Sequence, residues 1–228
     1  AGTTWHAAGL VGQLRATANL TNLARYTTEL FAGLESETGQ ATGYRRTGSL
    51  SLALNTERLE ELNRQASTAR AFGIDVEQIS AADVAAHWPD LNVDDICGAV
   101  YLPGDGQTNP VDTTQALATG ARNGGALILE NQHVEKISTD ARNVTSVTTA
   151  DGVIKTRKLV IAAGMWSRQL GASIGISIPL QAAEHFYIVT EPMESLRSGM
   201  PTLRVPDEFA YFKEDAGKLL VGWFEPVA

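Results

Sequence analysis

The chain has 228 residues, of which 43% are apolar, and it carries a net charge of −8 with a pI near 5.0. This length allows one large or two modest globular domains with a buried core. The acidic balance argues against a nucleic-acid partner, because nucleic-acid binding needs a basic surface. No apolar run approaches the roughly 18 residues that cross a bilayer, so we expect neither a membrane partner nor a targeting segment.

The first ten residues, AGTTWHAAGL, combine small residues with one indole and one imidazole. Glycine and alanine let the backbone come close to a flat ligand, so that only Trp5 and His6 project. A neutral imidazole is a nucleophile near physiological pH, and His6 could therefore carry a covalently bound cofactor. The alternative is that Trp5 and His6 are ordinary residues at the start of a helix.

Residues 19–37 have apolar side chains at helical spacing, which predicts a helix that begins at Asn19 or Thr21 and ends at Gly39. We expect the apolar stripe of this helix to face the core, and it consists of Leu20, Leu23, Tyr26, Leu30, Phe31 and Leu34. In residues 43–55, leucines alternate with small residues, which predicts a half-buried strand.

Three further helices have recognisable start and stop signals. They are residues 57–72 with Thr56 as cap and Gly73 as stop, a short helix from Ser80 that Pro89 halts, and residues 110–122 followed by Gly124 and Gly125. Residues 98–102 are predicted as a strand. Residues 103–106 follow it as a tight turn, in which we expect Gly104 and Gly106 to supply positive φ angles.

Strands dominate the second half of the chain. They are predicted over residues 126–130, 133–138, 143–150, 153–163, 183–191, 208–213 and 219–224. The fourth of these runs into Ala162, Ala163 and Gly164 and then a helix, an arrangement that can place backbone N–H groups around a phosphate. In the fifth, alternation puts His185 and Tyr187 on one face.

The single cysteine, Cys97, lies in an apolar stretch, and we expect it to be a small buried thiol. Together with His87 and His133 it has no recognised metal-ligand spacing, so no metal is expected. No Gly-x-Ser-x-Gly nucleophile elbow is present in the sequence.

Four blocks resemble, in order, segments of the sarcosine and dimethylglycine dehydrogenases, FAD enzymes of the D-amino-acid-oxidase-like superfamily. They are GTTWHAAGL, YLPGDGQ, LVIAAGMWS and AAEHFYIVT, at residues 2–10, 101–107, 159–167 and 182–190. The resemblance implies an α/β protein with α+β character. An incomplete FAD-binding Rossmann-like domain, residues 1–40 and 111–175, would be interleaved with an antiparallel-sheet substrate domain, residues 41–110 and 176–228.

The resemblance also implies how the cofactor is held. FAD would be linked covalently to His6 through its 8α-methyl group, and the expected further contacts are Thr3, Thr4, Trp5, Leu10, the backbone at Val134 and the turn at Gly164. The Gly-x-Gly-x-x-Gly fingerprint of such domains is missing, since Gly124 and Gly125 end a helix instead of opening one. We therefore expect an internal fragment that does not hold FAD by itself.

The implied reaction is oxidative demethylation of an N-methyl amino acid, sarcosine or dimethylglycine, with His185 and Tyr211 in the active site. Without the resemblance, His185 would be a core histidine and Tyr211 a half-buried strand aromatic. The cation for the substrate carboxylate stays open among Arg45, Arg46, Arg204 and Lys213.

Other hypotheses about the function also stay open. One is a non-catalytic relative similar to the pyruvate dehydrogenase phosphatase regulatory subunit, and another is an amino-acid oxidase with non-covalent FAD. A folate-binding domain could follow this segment and capture the one-carbon unit. The expected location is the cytoplasm of a bacterium or the mitochondrial matrix of a eukaryote.

Overall fold

The computed structural model describes residues 2–141 and 143–225, so that the first residue and the last three residues of the predicted domain ranges lie outside the described residues. The chain divides into a small unit, Ala1–Thr3 with Gly125–Glu184, and a large unit, Thr4–Gly124 with His185–Ala228. These boundaries follow contacts within the chain. The assignment of residues 1–40 and 111–175 to a flavin domain stays a prediction.

The first part of the large unit alternates short strands with four helices. In chain order these are β1 (Leu10–Val11), α1 (Ala18–Thr38), β2 (Ser49–Ala53), α2 (Thr56–Ala71), β3 (Glu77–Ile79), α3 (Ala81–His87), β4 (Gly98–Leu102), β5 (Gly106–Gln107) and α4 (Pro110–Asn123). A 3₁₀ turn, Thr4–His6, precedes them.

The small unit contains an antiparallel sheet of three strands and one short helix. The strands are β6 (Lys136–Asp140), β7 (Asn143–Thr149) and β8 (Gly152–Lys155), and the helix is α5 (Ser167–Ala172). Residues 126–130 and 156–163 form no strand, so the predictions of strands there are wrong. Their apolar residues raised the strand propensity, but apart from the Thr156 N–H, which donates to the Thr145 carbonyl of β7, no strand in the described part of the unit pairs with their backbone.

The chain returns to the large unit with β9 (Phe186–Val189), β10 (Thr202–Val205), β11 (Ala210–Asp215) and β12 (Lys218–Trp223). Seven strands form one sheet in the order β3-β4-β2-β10-β11-β12-β9. All neighbours are antiparallel except β2 and β10, which run parallel. The predicted antiparallel sheet is therefore observed with one parallel pair at its centre.

The two faces of this sheet differ in what covers them. One face, which we call the core face, packs buried apolar residues of the sheet against α3 and the segment after it: Leu50, Leu52, Ala99, Leu203, Val205 and Ala210 with Val84, Trp88 and Ile96. Burying one leucine side chain contributes roughly 1.5–3 kcal/mol, so this cluster is a main source of stability. The opposite face, which we call the polar face, carries Ser49, Ser51, Thr202, Arg204 and Tyr211, as the strand register requires.

Helix α2 covers only one end of the polar face. Its Leu62, Ala66 and Ala69 pack against Ala53 of β2 and against Val100 and Leu102 of β4. The side chain of Asn55 caps this helix by accepting a hydrogen bond from the Arg58 N–H, one residue before the predicted cap. The remaining strands of the polar face extend beyond α2.

Helix α1 begins and ends near the predicted residues but presents a different face. Thr17 caps it and Gly39 ends it in the left-handed conformation, φ 73°. Leu34 is buried as predicted, whereas Leu20, Leu23 and Tyr26 are 51%, 61% and 61% exposed. The prediction that the whole stripe faces the core is wrong, because the helix also turns two threonines inward.

Those inward residues, Thr21 and Thr28, make hydrogen bonds to the segment before the helix. The Thr21 hydroxyl accepts from the Arg15 N–H at 3.1 Å and donates to the Arg15 carbonyl, and the Thr28 hydroxyl accepts from Gln13 Nε2 at 3.0 Å. Cys97 also differs from its prediction, because its thiol is exposed instead of buried. Its neighbours Ile96 and Gly98 are the buried ones.

Candidate active site

The predicted cofactor-attachment segment forms the 3₁₀ turn Thr4–His6, which is closed by a hydrogen bond from the Ala7 N–H to the Thr4 carbonyl at 3.2 Å. Trp5 is 66% exposed and His6 is also exposed. Their rings meet edge to face with centroids 4.6 Å apart. No described residue hydrogen-bonds the His6 imidazole. Its ring nitrogens are therefore available, as covalent attachment of a flavin requires.

The residues after this turn are fixed to the large unit at several points. The Thr108 N–H donates to the Gly9 carbonyl at 2.9 Å, and β1 pairs with β5. A side chain at Gly9 would place its Cβ 2.2 Å from the Thr108 carbonyl oxygen, and φ there is +77°. Only glycine satisfies both conditions. The exposed turn is therefore followed by a segment that is firmly attached to the rest of the large unit.

Asp105 is a structural residue that sequence reasoning missed, since Gly104-Asp105-Gly106 was interpreted only as a turn. Its buried carboxylate accepts from the Gln13 N–H at 2.8 Å and from the Ser49 hydroxyl at 2.6 Å. Burial raises the pKa of Asp105, although these two hydrogen bonds act to lower it. The residue connects the segment after β1 to the central sheet.

The predicted positive φ angles at Gly104 and Gly106 are wrong, because both residues have ordinary backbone conformations. Close packing explains the glycines instead. A Cβ at Gly106 would lie 2.1 Å from the Arg45 carbonyl oxygen, and one at Gly104 would lie 2.6 Å from Gln13 Oε1. A glycine pair in a turn was the available signal, but close approach of another segment could not be distinguished from turn geometry.

The structure brings the two predicted catalytic residues together. His185 Nε2 lies 2.8 Å from the Tyr211 hydroxyl, and Phe224 stacks on the imidazole with ring centroids 4.5 Å apart. Tyr211 is only 4% exposed, whereas His185 is exposed. A half-open imidazole backed by a buried phenol can take up or release a proton. Neither ring is hydrogen-bonded to His6, and the catalytic roles stay a prediction.

Gly222 makes this pairing feasible. It lies directly opposite Tyr211 in the register of β11 and β12, and a Cβ there would be 2.2 Å from Tyr211 Cζ. The tyrosine ring therefore lies across β12 toward His185, which immediately precedes β9. A glycine inside a predicted strand was the signal for such a close approach.

A single row of residues crosses the polar face through the strand register. From β4 to β9 the directly opposed residues are Val100, Ser51, Arg204, Tyr211, Gly222 and Tyr187. Directly opposed residues point to the same side of a sheet. Burial raises the pKa of Tyr211, with a further increase from Tyr187 and an opposing decrease from Arg204.

Arg204 also lines a cavity of about 190 Å³ between the sheet and the segment after the 3₁₀ turn. The polar lining consists of Arg15, Ser49, Ser51, Gln65, Asp105, Thr202 and Arg204, and Leu10 belongs to the same wall. Burial lowers the pKa of Arg204, and the neighbouring Arg15 lowers it further. Two guanidinium groups and the hydroxyls of Ser51 and Thr202 are donors suited to a carboxylate, whereas the Ser49 hydroxyl already donates to Asp105.

The other cations considered for the carboxylate are placed differently. Arg45 forms an ion pair with Glu214 at 3.2 Å, and the Lys213 ammonium donates to the Ala8 carbonyl at 3.0 Å. Arg46 does not line the cavity. Within the described residues the Arg204 guanidinium has no hydrogen bond or salt bridge of its own. The structure therefore favours Arg204.

The remaining predicted cofactor contacts are in the small unit or border it. Thr3 is exposed, Val134 is half-buried, and Gly164, with φ +54°, opens a 3₁₀ turn before α5. No strand precedes this turn, so the expected strand-turn-helix phosphate site is not formed as predicted. The flavin contacts of these residues stay predictions.

Among residues 2–141 and 143–225, no cluster of three or more His, Cys, Asp or Glu side chains could bind a metal ion. Over the same residues, no helix combines the length and the apolar character needed to span a membrane.

Comparison with known proteins places this site in context. The chain is 37% identical to sarcosine dehydrogenase of Homo sapiens over 230 residues, covering 98% of this chain and 25% of that protein. It is 36% identical to the formaldehyde-forming 4-methylaminobutanoate oxidase of Paenarthrobacter nicotinovorans, covering 99% and 27%. It is also 39% identical to the pyruvate dehydrogenase phosphatase regulatory subunit of Mus musculus, covering 99% and 26%. The chain thus spans about a quarter of the length of these relatives.

Solved structures agree on the fold. L-proline dehydrogenase from P. horikoshii superimposes with a TM-score of 0.91 at 24% identity, covering 99% of this chain and 60% of that one. Glycine oxidase from Geobacillus kaustophilus gives a TM-score of 0.83 at 26% identity, covering 98% and 63%. The predicted α/β fold class is confirmed.

The profile of one protein family matches residues 1–227, and its description is FAD dependent oxidoreductase. Together with the identities above, this match confirms the predicted relationship to the sarcosine and dimethylglycine dehydrogenases. The chain belongs to the FAD dependent oxidoreductase family.

Proposed function

We propose that the protein containing this chain oxidatively demethylates a small N-methyl amino acid. The observation that carries the proposal is the 2.8 Å contact between His185 and Tyr211, directly beside Arg204 on the polar face. FAD held near His6 would supply the acceptor for a hydride from the substrate's methyl carbon. Water then converts the resulting iminium ion to formaldehyde and the demethylated amine.

The residues of this chain supply proton handling and substrate orientation. An amine can give up hydride only when its lone pair is not protonated, and His185, hydrogen-bonded to Tyr211, takes up that proton. Arg204 binds the carboxylate, which fixes the methyl end of the substrate relative to the histidine. A neutral amine without a carboxylate would lack the second contact and bind more weakly.

His6 is proposed as the covalent attachment point of FAD. An exposed imidazole with no hydrogen-bond partner among the described residues fits this role, because either ring nitrogen can form the bond. Acid precipitation tests it. Flavin should remain with the precipitated full-length protein, and His6→Ala should release it into the supernatant.

A non-catalytic role is the second candidate function, because the 39% identity to the phosphatase regulatory subunit is as high as the identity to the dehydrogenases. The paired His185 and Tyr211 and the open imidazole of His6 favour the enzyme. A regulatory protein has no need of a proton acceptor beside a guanidinium. Bound flavin that no N-methyl amino acid reduces would favour regulation instead.

Stopped-flow reduction of the flavin in the full-length protein tests the enzyme directly, with sarcosine, dimethylglycine and 4-methylaminobutanoate as substrates. His185→Ala should slow reduction by roughly 10² to 10⁴-fold where the substrate amine is still protonated, and the difference should shrink at low pH, because an imidazole that already carries a proton cannot accept another from the amine. Tyr211→Phe should lose only about 1 kcal/mol, because the ring remains. His87→Ala is a matched control, since His87 packs against Tyr101. Reduction of His185→Ala at the wild-type rate would refute the assignment.

Three finer points belong to the same proposal. Transfer of the one-carbon unit to folate stays one of the open alternatives. The protein acts in the cytoplasm of a bacterium or in the mitochondrial matrix of a eukaryote. An oxidase with non-covalent FAD is the variant that acid release of the wild-type flavin would favour.

A further inference from the structure

Lys213 is a buried lysine that the proposed reaction does not use. It lies on β11 two residues after Tyr211 and is only 4% exposed. Its ammonium donates to the Ala8 carbonyl at 3.0 Å and lies 3.7 Å from Asp215 Oδ1. The same strand therefore carries the tyrosine of the substrate site and a contact to the His6 segment.

A buried ammonium group is costly unless it is paired, and lysine is among the residues least often fully buried. Burial lowers the pKa of Lys213, while the charges of Asp215 and Glu214 act to raise it and that of Arg45 acts to lower it. An apolar side chain of similar length would avoid this cost. What the ammonium provides in addition is a charge-assisted hydrogen bond to one backbone carbonyl.

That carbonyl lies close to the proposed attachment point. One residue, Ala7, separates Ala8 from His6, and its N–H closes the 3₁₀ turn on the Thr4 carbonyl. The next carbonyl, that of Gly9, is held by the Thr108 N–H. Among the described residues, Lys213 therefore supplies the side-chain hydrogen bond nearest to His6 along this segment, while the exposed turn itself lies against α4.

We propose that Lys213 is a positioning residue that holds the Ala8 carbonyl and thereby orients the His6 imidazole for covalent attachment of the flavin. This role rests on the proposed linkage at His6. Removing the ammonium leaves the β1–β5 pairing and the Gly9 contact in place, so the segment remains attached. The 3₁₀ turn then samples more orientations, and fewer of them present the imidazole correctly.

The test uses the full-length apoprotein, to which FAD is added. Lys213→Met should attach flavin covalently roughly tenfold more slowly than wild type, as measured by acid-precipitable flavin over time. Hydrogen–deuterium exchange should rise in a peptide covering residues 4–11 and stay unchanged in α1. Lys218→Met is the matched control, because Lys218 is half-buried on the neighbouring strand and has no hydrogen bond to residues 4–11.

Rescue separates positioning from general packing. Lys213→Arg, which keeps a cationic donor, should recover part of the attachment rate. If the methionine variant does not fold, Lys213→Gln, whose uncharged amide stands on an arm one bond too short to reproduce the ammonium contact with Ala8, should slow attachment in the same direction. Wild-type attachment and exchange in Lys213→Met would overturn the role of Lys213 alone. Complete release of wild-type flavin by acid would overturn the linkage at His6 and, with it, this role.

Discussion

The two ends of the polar face are built differently, although one row of the sheet register runs through both. At the β4 end, Val100 is 3% exposed and packs beneath α2 with Leu62. At the other end the row continues as Arg204 and Tyr211, beyond the helix. The comparison teaches that a residue's role depends on which element covers its position in the sheet, and not on the position alone.

The difference has a physical cause. Ala66 and Ala69 let α2 come close to β2 and β4, and such close packing excludes water and favours apolar side chains. No helix occupies that position over β10–β12 in the described chain. Between the two ends, a cavity with two guanidinium groups lies over β2, β4 and β10, and Gln65 of α2 forms part of its wall. Changes at the covered end should therefore alter stability, and changes at the open end should alter binding and chemistry.

The largest effect is expected at the covered end. Leu62→Ala removes a fully buried side chain and should lower the free energy of unfolding by about 2–5 kcal/mol. Leu62→Met, which conserves volume, should cost less than about 1.5 kcal/mol. Chemical denaturation measures both. If either variant changes the rate of flavin reduction in the folded enzyme, the separation of the two ends is wrong.

At the open end, Arg204→Met should raise KM for a carboxylate substrate by roughly 10- to 100-fold, because one charge-assisted contact of about 1.5–3 kcal/mol is lost. The midpoint of thermal unfolding should change little. Arg64→Met is the control, since Arg64 is 70% exposed on α2. Steady-state kinetics with sarcosine measures KM for both variants. An unchanged KM in Arg204→Met would exclude Arg204 as the carboxylate ligand.

Gly222→Ala tests whether the contact between Tyr211 and His185 requires a residue without a side chain at position 222. The added Cβ would meet Tyr211 Cζ at 2.2 Å, so the ring must move away from His185 at a cost of about 1–3 kcal/mol. Flavin reduction should slow more than in Tyr211→Phe. Gly33→Ala is the matched control, because a Cβ in that position of α1 meets nothing within 4 Å. Equal rates in the two alanine variants would contradict this interpretation.

The smallest effect on stability is expected at Asp207, which links the end of β10 to the start of α2. Asp207 follows β10 and accepts from the Leu54 N–H at 3.1 Å and from Arg58 Nε at 2.9 Å, close to the start of α2. Desolvation opposes ionisation of Asp207, but the hydrogen bonds from Arg58 and Leu54 and the charge of Arg58 outweigh it and lower the pKa.

A lowered carboxyl pKa stabilises the fold above the unfolded value of about 3.9, and the contribution disappears as pH falls through the folded pKa. Asp207→Asn should therefore cost about 1 kcal/mol at pH 7 and less near pH 3, which lies below the unfolded value. Denaturation at both pH values measures this difference. A cost that is the same at pH 3 would show that the charge of Asp207 is irrelevant.

Several elements could be predicted because their signals are local. Ser80 and Asp83 form the expected capping box, β4 has its predicted bounds, and Pro110 opens α4. Helix caps and turns depend on hydrogen bonds within a few residues, so the identities of neighbouring residues are enough to recognise them. The exposed Trp5 and His6 also follow from a segment otherwise made of small residues.

Other features could not be predicted, because they depend on residues distant in the chain. The burial of Asp105 depends on Gln13 and Ser49, and the exposed stripe of α1 depends on which element covers the helix. Hydrophobic spacing identifies an apolar face but does not say what packs against it. The small unit shows the same limit, since residues 156–163 have strand-like composition without a pairing strand.

The sequence by itself determined the family, the approximate helix boundaries and the four blocks, which contain His6, Gly164 and His185 but not Tyr211. Tertiary structure alone decided that Tyr211 reaches His185 across Gly222, that Arg204 lies beside them, and that Lys213 holds Ala8. Local hydrogen bonding and periodicity are encoded within a few positions of the chain. Register and packing instead depend on the simultaneous fit of distant segments, which a single sequence does not display.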